Sequence, residues 1–479
     1  MSQQVLHPSL EERTAHGVDA RGHALPSSHA GWTPAPDRPD PVALIMEQNL
    51  RRDADLVPVR HGRMKASPFT FYRGAAAIMA ADLEPTPTAG LDVQLCGDAH
   101  LSNFGVFGSP ERQLVFDIND FDETLPGPFE YDVKRLAASL TVAGRNNGFT
   151  PADVRAITTT SVASYREAMA DFSTMRTLDV WYAHVTEADL RQAVAGLLGR
   201  EVKKKNLKGK EARKLEKRFD KNAEKARSRD SLQALTKLTE VVDGERRIVS
   251  TPPVVVPARE LFATYGLDPG LEEGIIVSQF REYRSTLQHD RRQLLERFEV
   301  VDWARKVVGV GSVGTRAFIV LLRGRGEDDP LFLQIKEASR SVLEGPSRRS
   351  EFRQAGERVV QGQRLMQASS DIFLGWTRGV EADRYFYWRQ LRDMKGSALV
   401  EQMPAGGMTL YGKLCGWTLA RAHARSGDPV AIAAYLGEDD AFDRAVTDFS
   451  ERYADQNERD FEQFAEAVRS GRIEATEGV

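Results

Sequence analysis

Two short β-rich segments, separated by about two hundred residues of mainly helical pattern, constrain the fold of this 479-residue chain most strongly. Residues 91–96 and 113–118 alternate or run apolar, which is typical of short buried strands. From near Trp303 the pattern reads strand, glycine-rich loop, strand, polar turn and strand. Helical periodicity surrounds both segments, for example over 131–146 and 151–173. The sequence therefore predicts an α+β fold of more than one structural unit.

Acidic and amide side chains follow the first predicted strand at a spacing that suits phosphoryl transfer. Asp98 precedes Asn103 by five residues, and Asp120 follows Asn103 by seventeen. Phosphoryl transfer from ATP needs a carboxylate that orients the acceptor hydroxyl, and oxygen ligands that hold Mg²⁺. We therefore predict Asp98 as the catalytic residue, with Asn103 and Asp120 as metal ligands. Asp117 and Asp122 remain alternative ligands, and turn or cap roles remain an alternative for each residue taken singly.

A glycine-rich loop begins the second β-rich segment. Gly309, Gly311 and Gly314 form a G-x-G-x-x-G pattern. Together with Ser312 they predict a loop whose backbone N–H groups approach phosphates without side chains in the way. A dinucleotide-binding loop leads directly into a helix. Here an apolar, β-rich run follows at 317–322, so the pattern favours a nucleotide-binding hairpin.

The next predicted strand carries a lysine at its end. Lys336 follows the last glycine of the loop by 22 residues. A lysine in this place neutralises the α- and β-phosphates of ATP, whereas the alternative is a strand-end lysine that reaches solvent. A nucleotide-binding lysine needs an acidic partner on the following helix, and both Glu351 and Glu357 are candidates.

The first segment resembles the catalytic loop of aminoglycoside and choline phosphotransferases, written H-G-D-x-H-x-x-N. Residues 97–103 read Gly-Asp-Ala-His-Leu-Ser-Asn, with Cys96 where that family has a histidine that helps to order the loop. Residues 119–122 are similar to the family's I-D-[FW] segment, and Asp132 to the mostly structural aspartate of its Y-D-L-A segment. The resemblance implies ATP and Mg²⁺ as cofactors.

The order of these parts is inverted along the chain. In kinases the glycine loop and lysine precede the catalytic loop, whereas here they follow it by about two hundred residues. Residues 414–425 resemble the L-A-x-L-H-A helix that precedes the catalytic loop in small-molecule kinases. Joining the last helices to the first segment restores the usual order. The resemblance thus implies a two-lobed protein-kinase-like fold with circularly permuted lobe order and extra helices.

This arrangement predicts five regions. They are a disordered N-terminal arm (1–40), the first part of a helical C-lobe with the catalytic and metal-binding loops (41–180), a helical insert or linker (181–300), a β-rich nucleotide-binding N-lobe (301–395) and a helical segment that completes the C-lobe (396–479). Within the insert, the basic stretch 201–229 predicts a solvated helical hairpin, with binding of an anionic partner as the alternative.

The chain as a whole also resembles an uncharacterised bacterial family, catalogued as a domain of unknown function. The stretches at 60–76, 97–105 and 331–338 are among those that carry this likeness, which spans about residues 50–460. The resemblance brings no established activity, so the expected function rests on the motifs described above.

The leading hypothesis is an ATP- and Mg²⁺-dependent phosphotransferase that acts on a hydroxyl group. The acceptor is expected to be a small molecule because the motifs lean toward the aminoglycoside and choline branch. One alternative transfers the nucleotide part of ATP to a protein hydroxyl from the same site, as an AMPylator does. Another is a pseudokinase that binds nucleotide as a regulatory module.

Composition narrows the setting. The net charge of −4 at pH 7 argues against a nucleic-acid partner bound through bulk electrostatics. No apolar run approaches the ~20 residues of a membrane span, and the first residues lack the apolar core of a signal peptide. Two cysteines are too few for a disulfide framework. We therefore expect a cytoplasmic protein.

Five further residues have two explanations each. Arg60, Arg63 and Arg73 are candidates for binding an anionic substrate, although surface arginines are common. His100 is expected to support the catalytic loop rather than to act directly. His423, on an apolar helical pattern, is expected to be a packed core histidine.

Overall fold

The computed structural model of the protein describes residues 7–203, 213, 217, 220–221, 223–229, 231–264, 269–307, 309–345, 348–381, 383–391 and 394–478. The helices are α1 (Leu10–Ala20), α2 (Pro41–Asn49), α3 (Val57–Lys65), α4 (Pro68–Gly74), α5 (Ala76–Leu83), α6 (Phe129–Asn146), α7 (Pro151–Thr174), α8 (Thr177–Tyr182), α9 (Glu187–Lys203), α10 (Ser231–Leu238), α11 (Ala258–Thr264), α12 (Pro269–Ser285), α13 (His289–Leu295), α14 (Ala355–Met366), α15 (Ala405–Ser426), α16 (Pro429–Leu436) and α17 (Ala441–Arg469). The strands are β1 (Asp92–Leu95), β2 (Phe104–Gly108), β3 (Leu114–Ile118), β4 (Leu125–Pro128), β5 (Val185–Thr186), β6 (Thr239–Val242), β7 (Glu245–Ile248), β8 (Val255–Pro257), β9 (Glu299–Lys306), β10 (Ala317–Arg323), β11 (Pro330–Ala338), β12 (Gly375–Arg378), β13 (Tyr385–Gln390) and β14 (Gly396–Ser397). These elements confirm the predicted α+β class.

Helices α6, α7, α15, α16 and α17 pack on one another and form the helical body. Helix α7 begins where Thr150 accepts a hydrogen bond from the Asp153 N–H and Pro151 occupies the first turn. Its packing against α15 depends on Gly416, because a Cβ at that position would lie 2.2 Å from the Ser161 carbonyl oxygen. The body therefore places helices from distant parts of the chain side by side.

A six-stranded antiparallel sheet has the order β12-β13-β11-β10-β9-β8. Trp388 of β13 is fully buried beneath α12, where it stacks on Tyr283 at 4.5 Å between ring centroids. The glycine-rich loop connects β9 to β10, and Lys336 lies on β11 opposite Ala317 of β10 and Tyr387 of β13. The hairpin predicted around the glycine loop is present.

The first β-rich segment is divided between two small sheets. Strand β1 pairs with β4, whereas β3 belongs to a sheet of order β14-β2-β3-β5. Strand β2 was not predicted, and it pairs with β3 along residues 104–108. Its glycines, Gly105 and Gly108, hide its strand character from a pattern search. As a result, the loop with Asp98 and Asn103 runs from one small sheet to the other.

The prediction of a disordered arm over residues 1–40 is wrong for the part that the structure describes. Helix α1 begins with a capping box in which Ser9 and Glu12 bond each other's backbone N–H groups. Arg13 forms an ion pair of 2.7 Å with Asp428, and α1 packs on α16. These contacts with the distant helix hold a segment whose own sequence shows little periodicity, so the sequence pattern did not reveal it. Residues 1–6 lie outside the described residues.

The predicted helical insert over 181–300 is also corrected. It contains strands as well as helices, and its strand β8 extends the six-stranded sheet by pairing with β9. Most of the basic hairpin predicted over 201–229 lies outside the described residues. In the part of the chain that the structure describes, no helix is both long enough and apolar enough to cross a membrane.

Candidate functional site

Residues of both β-rich segments line one cavity of about 1470 Å³. The residues predicted for the site that lie on its wall are Asp98, Asn103, Asp120, Gly309, Gly311 and Ser312. Lys336 contacts two aspartates of this wall. Gly314 is absent from the wall, and a Cβ at this position would lie 3.0 Å from the Cβ of Arg52. Most of the predicted site thus lines one space, although its two halves are about two hundred residues apart in sequence.

The Asp98 carboxylate is held in place by an arginine. Arg135 of α6 forms an ion pair of 2.7 Å with Asp98, and its guanidinium group lies 3.9 Å from the centre of the Tyr72 ring. Asn103 donates from Nδ2 to the Asp98 carbonyl oxygen at 2.8 Å, which leaves its amide oxygen as the remaining acceptor. The hydrogen bond from Asn103 to Asp98 therefore joins the two ends of the loop, and Arg135 holds the Asp98 carboxylate at the cavity wall.

Asp132 holds the start of the same loop. Its carboxylate accepts hydrogen bonds from the N–H groups of Cys96 and Gly97, at 2.7 and 3.0 Å. His423 lies 3.3 Å from Asp132 and is fully buried against Tyr165, as expected for a core histidine. Cys96 is likewise fully buried. Contacts to α6 and α15 thus order the loop although Cys96 replaces the histidine of the resembling family.

His100 supports the loop from within. Its Nδ1 accepts the Ser102 N–H at 3.2 Å, and its side chain is buried. Burial lowers the pKa of His100 to about 4, so the imidazole is neutral near pH 7. This contact with the loop backbone is of the kind expected for a supporting residue, and the His100 side chain also lies on the cavity wall, 3.7 Å from Asp98.

Lys336 binds two carboxylates of the cavity wall. Its Nζ lies 2.5 Å from Asp122 Oδ2 and 3.4 Å from Asp120 Oδ1. Burial alone would lower the pKa of Lys336, but the charges of the two aspartates raise it above its ordinary value. Burial would likewise raise the pKa of Asp120, but the positive charge of Lys336 lowers it well below the usual range. Both partners are therefore ionised at neutral pH.

The acidic partner of Lys336 does not come from the following helix. Glu351 and Glu357 form no ion pair with Lys336 within the described residues, so the expectation of such a pair is wrong in this structure. Helix α14 instead contributes Arg358, which donates to the carbonyl oxygens of Asp122 and Thr124. Helix α14 thus supports residues 122–124 by binding their backbone carbonyl oxygens.

The three candidate metal-binding aspartates have different surroundings. Asp117 is fully occupied in a buried ion pair with Arg421 and is absent from the cavity wall. Asp122 accepts hydrogen bonds from Tyr387 at 2.7 Å and from Lys336. Among the described residues, Lys336 is the one side-chain hydrogen-bond partner of Asp120. Asp120 is therefore the aspartate that is most available to another cation.

Oxygen atoms suited to Mg²⁺ are present, but the described residues contain no group of three or more His, Cys, Asp or Glu side chains that could hold a metal. Mg²⁺ is usually bound by one or two carboxylates together with substrate phosphates and water. The Asp120 carboxylate and the Asn103 amide oxygen, on the wall of one cavity, fit that pattern.

The glycine-rich loop is anchored by residues that precede the first β-rich segment. Arg52 donates to the Val313 carbonyl oxygen at 2.6 Å, and the Asp53 N–H donates to the Gly314 carbonyl oxygen at 2.8 Å. Gly314 adopts a φ of +84°, which favours glycine. Ser312 Oγ lies 3.5 Å from Asp122. The glycine-rich loop therefore contacts Asp122. Arg52 and Asp53, which hold the loop, were not identified from the sequence.

Comparison with known protein families matches residues 52–467 to an uncharacterized protein family conserved in bacteria, DUF2252. The chain belongs to this family. No curated protein and no solved structure matches the DUF2252 chain. The matched residues include both β-rich segments that line the cavity, whereas the wall residues between 44 and 51 precede the match.

We expect the stability of this DUF2252 protein to depend on the protonation of Glu123 at the cavity wall. Burial raises the pKa of Glu123 to about 7, above the ordinary value of 4.5. Its stabilising contribution is therefore fully present below pH 4.5 and is lost as the pH rises through about 7. Glu123→Gln should raise the free energy of unfolding by about 1–3 kcal/mol near pH 8 and by less near pH 5. Urea denaturation at both pH values measures this, and parallel pH profiles of variant and wild type would contradict it.

Proposed function

We propose that the protein is an ATP- and Mg²⁺-dependent phosphotransferase that transfers phosphate to a hydroxyl group. One observation carries the proposal. Asp98, Asn103 and Asp120 share a cavity wall with the glycine-rich loop, and Lys336 reaches that wall from a third strand of the sheet. Protein kinases use the same kinds of parts, in which a glycine loop and a strand lysine bind phosphates beside a catalytic aspartate.

Asp98 is the proposed orienting residue for the acceptor hydroxyl. Its carboxylate is at the cavity wall, and its ion pair with Arg135 fixes its direction. A hydroxyl that donates to this carboxylate is held for in-line attack, and positioning of this kind supplies much of the rate in phosphoryl transfer. Asp98 therefore acts by orientation, and accepts the hydroxyl proton as the new P–O bond forms and the bond from the γ-phosphorus to the β,γ-bridging oxygen breaks, which releases ADP.

Lys336 and the backbone of Gly309, Gly311 and Ser312 are the proposed phosphate-binding groups. Lys336 is charged and already placed beside Asp120. Asp120 and Asn103 are the residues that would hold Mg²⁺, which neutralises phosphate charge when it is bound.

The order of elements supports a permuted kinase-like fold as part of the proposal. Strand β9, the glycine loop, β10, β11 with Lys336, and α14 follow one another along the chain as the corresponding parts do in a kinase. The helix with His423 packs beside the loop of Asp98 through Asp132, although it is about three hundred residues later in sequence. We propose a small-molecule acceptor, by analogy with the aminoglycoside and choline phosphotransferases.

Nucleotide binding is the first test. ATP with Mg²⁺ at about 100 times its dissociation constant should stabilise the wild type by about 2.7 kcal/mol, seen as a higher melting temperature. Asp120→Asn should lose the part of this shift that depends on Mg²⁺, whereas the exposed control Asp328→Asn should keep it. The absence of any shift in the wild type with saturating nucleotide would contradict the proposal.

Labelled ATP then separates the possible reactions. Transfer of γ-label to water or to an added hydroxyl compound, abolished by Asp98→Asn, is the result expected for a phosphotransferase. Retention of α-label on protein would show nucleotidyl transfer instead. Binding that survives Asp98→Asn, with no turnover in the wild type, would show a nucleotide-binding pseudokinase.

A further inference from the structure

Three arginines line the cavity on the side of the glycine-rich loop. Arg52 follows α2, whereas Arg60 and Arg73 belong to α3 and α4, and all three are on the cavity wall. Arg52 bonds the loop at Val313, and the Arg73 carbonyl oxygen would be 3.2 Å from a Cβ at Gly311. Arg52 therefore contacts the glycine loop through its side chain and Arg73 through its backbone, and all three arginines line the same cavity as the loop.

These arginines lack acidic partners at hydrogen-bonding distance within the described part of the chain. Arg60 is fully buried and donates to the side-chain oxygens of Asn49 and Gln48, at 2.7 and 2.9 Å. The carboxylate nearest to Arg73 is Glu401, at 3.8 Å. The Nε atom of each of the three arginines is buried and has no hydrogen-bond partner among the described residues.

Such a cluster is electrostatically unbalanced. Burial lowers the pKa of Arg52 to about 10, although the charges of Glu123, Glu337 and Asp122 oppose that shift. Burial also lowers the pKa of Arg60 well below its ordinary value. Charges buried in proteins are paired or bind ions, because an isolated buried charge is costly. Burial also lowers the pKa of Arg73, and the charges of Glu401 and Asp98 oppose that shift. The field of Arg73 therefore reaches the proposed catalytic residue.

We infer that Arg52, Arg60 and Arg73 form an anion site that binds phosphate oxygens between the glycine-rich loop and Asp98. Planar guanidinium groups match the geometry of phosphate. Arg52 and Arg73 supply the donors, whereas Arg60, whose terminal N–H groups bind Asn49, Gln48 and Gly74, adds its positive charge. The inference deepens the proposed function, on which it rests for the expectation of a phosphoryl group here. The phosphate comes either from the nucleotide or from an anionic acceptor, and both sources have the same chemistry at this site.

Inorganic tripolyphosphate is the probe that tests the site without the rest of the nucleotide. Calorimetric titration of the full chain should show binding, and Arg52→Gln and Arg73→Gln should each weaken it by about tenfold or more. Arg444→Gln is the matched control, because it removes an exposed arginine of α17 that pairs with Asp440. Its affinity should stay within about twofold of the wild type.

Titration with ATP separates the two sources. Loss of ATP affinity in parallel with tripolyphosphate affinity would assign the site to the nucleotide. Unchanged ATP affinity with lost tripolyphosphate affinity would assign it to the acceptor. Absence of tripolyphosphate binding in the wild type, or wild-type affinity in both variants, would overturn the inference. ATP turnover that fails while tripolyphosphate binding persists would reject the proposed function and leave the anion site in place.

The melting temperature gives a readout that a structural arginine would not produce. Without phosphate, Arg73→Gln removes a partly buried charge that has no carboxylate at hydrogen-bonding distance, so its melting temperature should be equal to or higher than that of the wild type. With saturating tripolyphosphate the wild type should become the more stable of the two. A lower melting temperature of the variant under both conditions would show a structural role and overturn the assignment of Arg73.

Discussion

Lys336→Met should reduce ATP turnover by about 10²–10³-fold, the size of effect seen when one electrostatic donor is removed from an active site. It should also destabilise the protein by about 3–5 kcal/mol, because it leaves carboxylates without their buried cation. Lys336 is only 3% exposed in its side chain and contacts both Asp120 and Asp122. Turnover is measured with γ-labelled ATP, and stability by urea denaturation.

A second variant separates the two effects. Lys336→Met combined with Asp122→Asn removes one negative charge together with the positive one, so much of the lost stability should return. Turnover should stay low in this double variant because the phosphate-binding cation is still missing. The exposed Lys237→Met serves as the control and should match the wild type in both measurements. Recovery of turnover in the double variant would exclude Lys336 as a phosphate-binding residue.

Arg421→Met should lower the free energy of unfolding by about 3–5 kcal/mol, since it leaves the Asp117 carboxylate buried without a counter-charge. Arg421 and Asp117 form a direct ion pair, and their side chains are 1% and 2% exposed. Arg421 also donates to the Met366 carbonyl oxygen, so the same group connects α15, β3 and the end of α14. Urea denaturation followed by fluorescence and circular dichroism measures the loss.

The cause of this loss is tested by removing the second charge. Arg421→Met with Asp117→Asn should be more stable than Arg421→Met alone, because the neutral amide can still accept the Ala368 N–H that Asp117 now binds. Removal of the exposed Arg444 should change stability by less than about 1 kcal/mol. Equal stability of the single and double variants would show that lost packing, rather than the unpaired carboxylate, causes the effect.

Local pattern was sufficient for much of the secondary structure. The helices at 129–146 and 151–174 and the hairpin around the glycine loop occur where periodicity predicts them. The same reading missed β2, whose glycines weaken the strand pattern, and α1, which is ordered by its contacts with α16. Periodicity reports which face of an element is apolar, so it fails where polar contacts with a distant helix provide the order.

In the candidate site, too, local sequence predicted some residues, and contacts between distant residues decided others. Spacing and the family resemblance together predicted Asp98, Asn103 and Asp120, because short motifs are local in sequence. It did not identify the partner of Lys336, which was expected on the following helix and is the pair Asp120 and Asp122. Ion pairs join side chains according to how strands and helices pack, and packing is not encoded in any one stretch of sequence.

By itself, the sequence determined the α+β class, most of the elements and the residue types that suit phosphate chemistry. Only the tertiary structure decided that both β-rich segments line one cavity and that Asp117 is occupied by Arg421. It alone revealed that Arg52, Arg60 and Arg73 lie together beside the glycine loop. The physical reason is that local propensity acts over a few residues, whereas burial and charge pairing act between whichever residues the folded chain brings into contact.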